Sequence, residues 1–254
     1  MRSFPLPKPV WKTLLLGCLL SITMTAPGLP VAAQGRRYNP PGGPPPRTAG
    51  VGGARSGSCT GAADTVFTAL APYSEVGQTA ATHPTFAWYV PDSQSPEPDS
   101  QSPEIDFRLY AYGADGRLQP EPVYRTMLPS TQGVMTFTLP PTEPGLTRGQ
   151  HYYWQAALIC DPNHRSEDAI INAEMRTVED SVPESERWYD LLRSEPDSVT
   201  NLLSELASIE RSWSENLARS AETVTEDDRR QLLELSQDVL QHSQNLTQII
   251  EAEI

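Results

Sequence analysis

The 254-residue chain is acidic, with 32 Asp and Glu against 19 Lys and Arg and a net charge of −13. This balance argues against a nucleic-acid partner, because such binding requires basic residues that neutralise phosphates. Both lysines, Lys8 and Lys12, lie near the start of the chain, so the remainder cannot supply a Walker-type phosphate loop, a Schiff-base lysine or a Ser–Lys dyad.

Residues 1–33 are predicted to form a secretory signal peptide. Three basic residues precede the uncharged run 13–26, and small residues then place a cleavage site between Ala33 and Gln34. The run is shorter than the roughly 20 apolar residues that cross a bilayer, so no transmembrane span is expected after cleavage. A retained anchor and lipid attachment at Cys18 stay open as alternatives. We expect an exported protein of the periplasm, the cell envelope or the extracellular space.

Residues 34–58 are predicted to be a disordered linker. Twelve of these 25 residues are Gly or Pro, and the segment carries four arginines and no acid. Such a composition cannot build a core and favours an extended spacer. The alternative is an arm that docks on an acidic partner, or on the acidic tail of the same chain.

Residues 59–180 have the pattern of an antiparallel β domain. Short segments rich in Val, Ile, Thr and aromatic residues alternate with Pro/Gly turns, and the apolar Phe107 and Leu109 alternate with polar neighbours. The whole chain is therefore predicted to be α+β but mainly β, with a β-sandwich resembling fibronectin-III or immunoglobulin domains. The predicted strands are residues 65–70, 85–90, 106–112, 122–127, 133–139, 150–160 and 170–178.

Two cysteines remain after export, Cys59 and Cys160. In an oxidising compartment such a pair more often forms a disulfide than two free thiols. The bond would close a loop of roughly 100 residues and contribute on the order of 4–5 kcal/mol to stability.

Residues 181–254 are predicted to form a module of about three helices, at 184–192, 197–219 and 225–253. The apolar period changes from two to 3.6 residues there, and the segment holds 16 acids and six arginines. The apolar stripes of the last two helices need a partner. They can pair with each other within the chain, or with a second subunit or a foreign helix, so a homo-oligomer is possible.

No catalytic motif is present: the chain lacks a nucleophile elbow, a His-Glu-x-x-His pair and a glycine-rich dinucleotide fingerprint. The most polar stretch is the loop 161–168, which contains His164 and several carboxylates but does not match an EF-hand. A β-turn is expected there. His242 falls in the apolar stripe of the last helix and is predicted to be a boundary residue. We expect no catalytic residue, no metal ligand and no cofactor.

The order of several motifs resembles a known family. These motifs are Leu70-Ala-Pro72, His83-Pro-Thr-Phe-Ala-Trp-Tyr-Val-Pro91, Gly133-Val-Met-Thr-Phe-Thr-Leu-Pro140, Tyr153-Trp154 with Leu158-Ile-Cys160-Asp161, and Trp188-Tyr-Asp-Leu191. Together they resemble the cyanobacterial "domain of unknown function 928" family over roughly residues 37–192. The resemblance implies an exported protein of a cyanobacterial envelope, and it carries over no catalytic residue.

The function predicted from the sequence is that of a non-enzymatic envelope protein that binds a protein or a cell-envelope glycan. One alternative is a hydrolase or transferase that uses the 161–168 loop. Another is a structural or secretion-accessory protein.

Overall fold

The computed structural model of the chain describes residues 37–42, 65–92, 103–194 and 199–253, all within the compact unit Gln34–Ile254. The fold is α+β, as predicted, with two mostly antiparallel sheets and three helices. The predicted signal peptide, its cleavage site and Cys59 lie outside the described residues. The strands are β1 (Thr68–Ala69), β2 (Gly77–Thr79), β3 (Thr85–Val90), β4 (Glu104–Ala111), β5 (Tyr124–Pro129), β6 (Gly133–Thr138), β7 (His151–Ile159) and β8 (Ala169–Thr177), and the helices are α1 (Trp188–Ser194), α2 (Val199–Ser220) and α3 (Glu226–Glu253).

The strands form a three-stranded sheet in the order β1-β3-β6 and a five-stranded sheet in the order β2-β8-β7-β4-β5. Among these described strands, the β2–β8 pairing is the parallel one. In the five-stranded sheet, Arg108 of β4 lies opposite Arg125 of β5 and Gln155 of β7. This register decides which side chains share a face.

Aromatic rings from both sheets meet in the core. Phe107 of β4 lies 4.9 Å from Phe86 and 5.8 Å from Trp88, both on β3, measured between ring centroids. Trp154 of β7 lies 6.3 Å from Trp88. All four side chains are fully buried, and large aromatic side chains dominate the energetics of such cores.

Helix α1 extends the same core. Trp188 donates from Nε1 to the carbonyl oxygen of Leu70 (2.9 Å), and Trp154 donates from Nε1 to the hydroxyl of Tyr189 (2.9 Å). Asp190 accepts from the hydroxyl of Thr79 (2.6 Å). The hydrophobic core is therefore continuous across position 180, where the sequence analysis placed a domain boundary.

Helices α2 and α3 pair with each other as an antiparallel hairpin. Ser214 donates to the carbonyl oxygen of Ser236 (2.8 Å), Ser236 donates back to that of Ser214 (3.0 Å), and Ser243 donates to that of Ala207 (2.7 Å). Small serines at these contacts allow the two backbones to approach closely. Among the described residues, no helix combines the length and apolarity that a membrane crossing needs.

Two predicted elements differ clearly from the structure, and one short strand was not predicted. The predicted strand 65–70 is reduced to Thr68–Ala69, where Thr68 bonds locally to the carbonyl of Val66 (2.7 Å), a contact that competes with strand pairing. The three-residue β2 contains Gly77 and Gln78 and has no strand-like pattern. The predicted helix 184–192 is a 3₁₀ turn, Glu184–Glu186, followed by α1.

Candidate functional site

The candidate site is the face of the five-stranded sheet that points away from the core. On β4, Ile105, Phe107 and Leu109 are buried in the core, so the alternating residues between and beyond them lie on the opposite face. We call this opposite face the outer face. Its principal side chains, read from the strand register, are Arg125 of β5, Asp106, Arg108 and Tyr110 of β4, Tyr153 and Gln155 of β7, and Asn172 and Arg176 of β8.

A buried carboxylate organises one end of the outer face. Asp106 is 1% exposed and accepts from Nε (3.2 Å) and Nη2 (2.5 Å) of Arg108. It also accepts from Nε (3.0 Å) and Nη2 (2.9 Å) of Arg125. Arg165 approaches the same carboxylate at 3.5 Å and donates from Nε to the buried Asp168. Two guanidiniums are thereby held in a bidentate manner by one carboxylate.

The cluster exposes its cations and buries its anions. Burial alone would raise the pKa of Asp106, but the hydrogen bonds and charges of Arg108 and Arg125 lower the pKa to about 2. The side chains of Arg108, Arg125 and Arg165 are 32%, 53% and 43% exposed, whereas those of Asp106 and Asp168 are 0% and 3% exposed. Solvent at this end of the sheet therefore meets guanidinium N–H donors.

Aromatic and amide side chains form the middle of the outer face. Tyr110 and Tyr153 lie opposite each other in the β4–β7 register, with ring centroids 6.2 Å apart and an interplanar angle of 50°. Gln155 lies opposite Asn172 in the β7–β8 register. All four are half-buried, so their polar atoms border solvent while part of each side chain rests on the sheet.

A second buried carboxylate lies toward the other end. Glu174 of β8 is 1% exposed and accepts from the hydroxyl of Tyr112 (2.6 Å). It follows Asn172 on the same face, and the exposed Arg176 comes next. Glu174, like Asp106, is covered and has an exposed cation beside it, whereas Glu104 at the start of β4 is an exposed acid at the edge of the same face.

We expect Asp106→Asn to destabilise the protein by about 2 kcal/mol at pH 7. The carboxylate has a folded pKa of about 2, against an ordinary 3.8, and that difference corresponds to a free energy of this size. Because the folded pKa is the lower one, the contribution is present above about pH 4 and is lost as the pH falls toward 2. Urea unfolding at pH 7 and between pH 2 and 4 measures it.

Asp115→Asn is the matched control for this substitution. Asp115 is paired with Arg117, but both side chains are largely exposed, at 60% and 87%. An exposed pair contributes roughly 0–1 kcal/mol, so the control should unfold almost as the unaltered protein does. Equal unfolding free energies for Asp106→Asn and the unaltered protein at pH 7 would contradict the role given to Asp106.

Two cavities lie away from the outer face. One, of about 370 Å³, lies between the edge strand β5 and the loop that follows β6, and is lined by Tyr124, Leu139 and Tyr152 among others. The other, of about 300 Å³, is polar and includes Arg148 and Arg187. Arg148 is bound to Asp180 (2.9 Å) and Arg187 to Asp190 (2.9 Å), so acids already neutralise these two cations.

The prediction that His242 is a boundary residue is wrong. His242 is 4% exposed, and its Nδ1 lies 2.6 Å from Glu210, which is 0% exposed. Its Nε2 lies 3.0 Å from the carbonyl oxygen of Ala69, and Glu210 also accepts from the backbone N–H of Tyr73 (2.7 Å). His242 therefore points toward β1 and α2. Its partners, Ala69 and Glu210, are far away in the sequence, so the apolar stripe of α3 alone could not reveal them.

The 161–168 loop is a surface turn for most of its length. Asp161 accepts from the backbone N–H of Asn163 (2.7 Å), as a β-turn predicts, and lies 2.6 Å from Nδ1 of His164. Residues 162–167 are exposed, and neither cavity includes any residue of the loop. Within the described ranges, no group of three His, Cys, Asp or Glu side chains could hold a metal ion. Cys160 lies just before the loop and is half-buried; its disulfide with Cys59 stays a prediction.

Residues 37–42 contact the folded part of the chain. Tyr38 is 3% exposed and lies edge-on to Trp188 at 5.0 Å between ring centroids. Its hydroxyl donates to Glu75 (2.5 Å), and its backbone N–H donates to Glu205 of α2 (2.7 Å). At this point of the predicted linker, the contacts are those of an arm that docks on the acidic tail. The rest of the segment lies outside the described residues.

The outer face was not predicted from the sequence. Its residues are spread over four strands from position 106 to 176, and each strand contributes only one to three. The period-2 pattern of β4 did distinguish the buried face from the polar face. The signal available in the sequence was the pair Asp106 and Arg108, an acid and an arginine on the same polar face of β4.

A family model described as Domain of Unknown Function (DUF928) matches residues 50–254. No curated protein and no solved structure matches the chain.

Proposed function

The chain belongs to the DUF928 family, and from this premise we propose that it is an exported, non-enzymatic binding protein whose outer face holds a cell-envelope glycan. The description of the family assigns no activity. The proposal therefore rests on the chemistry of the described side chains.

The observation that carries the proposal is the strip of tyrosine and amide side chains across β4, β7 and β8. Tyr110 and Tyr153 present aromatic rings with polar hydroxyls, which suit a ligand that is apolar on the faces of its rings and polar at their edges. Gln155 and Asn172 add amide groups that both donate and accept. Sugar rings have this combination of apolar faces and hydroxyl edges.

The same proposal includes the finer features of fold and location. We propose that the two sheets stack as a β-sandwich of the fibronectin-III or immunoglobulin kind. The ring contacts of Phe86 and Trp88 with Phe107 and Trp154 support stacking. The predicted signal peptide, cleaved between Ala33 and Gln34, and the predicted Cys59–Cys160 disulfide support export to the periplasm, the envelope or the extracellular space of a cyanobacterium.

The alternative enzymatic function would use the 161–168 loop. The short contact between Asp161 and Nδ1 of His164 is the arrangement that orients an imidazole for acid–base work. The hydrogen bond and charge of Asp161 raise the pKa of His164. Exposure of residues 162–167 leaves the pair without a cleft to exclude water, so we rank this function below glycan binding.

Tyr153→Ala is expected to weaken glycan binding about tenfold. Truncation of an aromatic side chain at the centre of a binding surface costs on the order of 1–2 kcal/mol. The purified protein and the variant would be titrated with solubilised cell-envelope polysaccharide of the source organism in a calorimeter. Tyr110→Ala should act in the same direction, since its ring contacts that of Tyr153.

Leu233→Ala serves as the control, because Leu233 is a 39% exposed apolar side chain on α3 and does not belong to the outer face. It should bind as the unaltered protein does. Absence of binding to any fraction of the envelope polysaccharide by the folded protein would refute the proposed function.

A further inference from the structure

We propose that the glycan is anionic, and that Arg108 and Arg125 recognise its carboxylate or sulfate groups. This inference rests on the proposed function and adds the chemical class of the ligand. Four observations lead to it: the donors left on the arginines, their fixed orientation, the local sign of the charge, and their position beside the tyrosines.

The first observation is the number of donors. A guanidinium has five N–H groups in a planar fork, and Arg125 uses its Nε and Nη2 on Asp106. Among the described residues, its Nη1 has no hydrogen-bond partner, and the side chain is 53% exposed. Donors therefore remain for an acceptor from outside the protein, and carboxylate and sulfate oxygens are the acceptors that guanidiniums bind most strongly.

The second observation is that the arginines are held in place before a ligand arrives. Arg108 and Arg125 lie opposite each other in the β4–β5 register and share one carboxylate. Each is fixed by two hydrogen bonds, so less rotamer freedom remains to be lost on binding than for an unanchored arginine. Asp106 thus acts as a positioning residue for the two cations.

The third observation is the local charge. The protein has a net charge of −13, which repels polyanions from most of its surface. On the outer face, however, Asp106 and Glu174 are each 1% exposed and the nearby Asp168 is 3% exposed, whereas Arg125 and Arg165 are about half-exposed, at 53% and 43%. The exposed acid of this face, Glu104 at the start of β4, is outnumbered by these arginines and the exposed Arg176. The outer face therefore presents positive charge on a negative molecule, and an anion that binds the protein is directed there.

The fourth observation selects a glycan over an acidic peptide. Tyr110 follows Arg108 by two positions on the same side of β4, about 7 Å along the strand. An anionic group at the arginines therefore places the next part of the ligand on the Tyr110–Tyr153 ring pair. A polysaccharide repeats its ring and its acidic group along the chain and satisfies both contacts.

The test is a competition experiment on the purified protein. Fluorescent envelope polysaccharide is bound first, and alginate (carboxylate groups), dextran sulfate (sulfate groups), neutral dextran and poly-glutamate are added as competitors. We expect alginate or dextran sulfate to displace the label while neutral dextran and poly-glutamate do not. Whichever polymer competes identifies the anionic group.

Arg125→Gln tests the residue that the inference singles out. Loss of one charge-assisted contact should raise the Kd for the anionic competitor about tenfold, and should flatten the dependence of Kd on salt concentration. Arg108 still holds Asp106 in this variant, so the fold is preserved. Arg230→Gln is the matched control, since Arg230 is 66% exposed on α3 and paired with Asp227.

The outcomes separate the two proposals. If the envelope polysaccharide binds but neutral dextran competes as well as the anionic polymers, or Arg125→Gln binds as the unaltered protein does, the anionic class is wrong and glycan binding stands. If poly-glutamate competes as strongly as alginate, the outer face binds acidic polypeptides, and the choice of a glycan as its ligand is wrong. If no polysaccharide binds at all, the proposed function itself fails.

Discussion

Glu210→Ala is expected to destabilise the protein by about 3–5 kcal/mol, because it removes one partner of a buried charged pair. Glu210 is fully buried, lies 2.6 Å from Nδ1 of His242, and accepts from the backbone N–H of Tyr73. The substitution removes the acceptor of Nδ1 of His242 and of the backbone N–H of Tyr73, and it opens a cavity between α2 and α3. Urea unfolding, followed by circular dichroism, measures the change in the unfolding free energy.

The pair also gives stability a pH dependence with a definite sign. Both ring nitrogens of His242 face oxygen atoms, those of the Glu210 carboxylate and the Ala69 carbonyl, an arrangement that favours the doubly protonated imidazolium. Burial alone lowers the pKa of His242, but the charge and hydrogen bond of Glu210 raise it above its ordinary value. A raised folded pKa means that this stabilisation is complete below about pH 6.5 and is lost as the pH rises through the folded pKa.

Two comparisons isolate the effect of the pair. Glu215→Ala changes an exposed glutamate on the same helix and should leave stability and its pH dependence nearly unchanged. In Glu210→Ala, the loss of unfolding free energy between pH 6 and 9 should shrink relative to that of the unaltered protein. An unchanged pH profile in Glu210→Ala would show that His242 is not charged in the folded state.

Trp188→Ala is expected to cost about 3–5 kcal/mol, the range measured for Trp→Ala in cores. Trp188 is 0% exposed, donates to the carbonyl oxygen of Leu70, and contacts the ring of Tyr38. A single side chain thus joins α1, the end of β1 and the arm at residues 37–42. Thermal unfolding measures this cost. Limited proteolysis of the variant at rising temperature should show that the arm is cleaved before the rest of the chain unfolds.

Two other substitutions divide the contribution of Trp188 into parts. Trp188→Phe keeps an aromatic ring against Tyr38 but leaves the Leu70 carbonyl without its donor, so we expect a smaller loss of about 1–3 kcal/mol. Trp213→Ala removes a half-buried tryptophan from α2 and should cost less than Trp188→Ala. Equal costs for Trp188→Ala and Trp213→Ala would contradict the central place given to Trp188.

Sequence patterns predicted the long elements well and the short ones poorly. The predicted strand at 85–90 coincides with β3, and the long helices at 197–219 and 225–253 differ from α2 and α3 by one or two residues at their ends. Their apolar residues repeat over enough positions to distinguish a true period from a chance arrangement. β2 could not be found, because three residues with a glycine carry no period and its parallel partner, β8, is about 100 residues away.

The candidate site was the part that sequence reasoning missed, and the reason is geometric. Asp106 has an arginine on its own strand, Arg108, and another on β5, Arg125. The β4–β5 register that brings Arg125 to Asp106 cannot be predicted from the sequence of either strand alone. His242 was misassigned for a similar reason. On α3 it has the spacing of an apolar residue, and only the approach of Ala69 and Glu210 shows that a hydrogen-bonded imidazole fits there.

Several contacts of the folded unit join segments that are far apart in the sequence. Tyr38 bonds to Glu205 across 167 residues, and Ala69 bonds to His242 across 173 residues. Proteins dominated by such distant contacts fold slowly, because the loops between the contacts must close before the contacts form. Most of α3 must therefore be present before Ala69 at the end of β1 can reach its hydrogen-bond partner, His242. A chain truncated at residue 180 lacks Trp188, Tyr189 and His242, so its sheets would lose the hydrogen bonds that these side chains make to Leu70, Trp154 and Ala69.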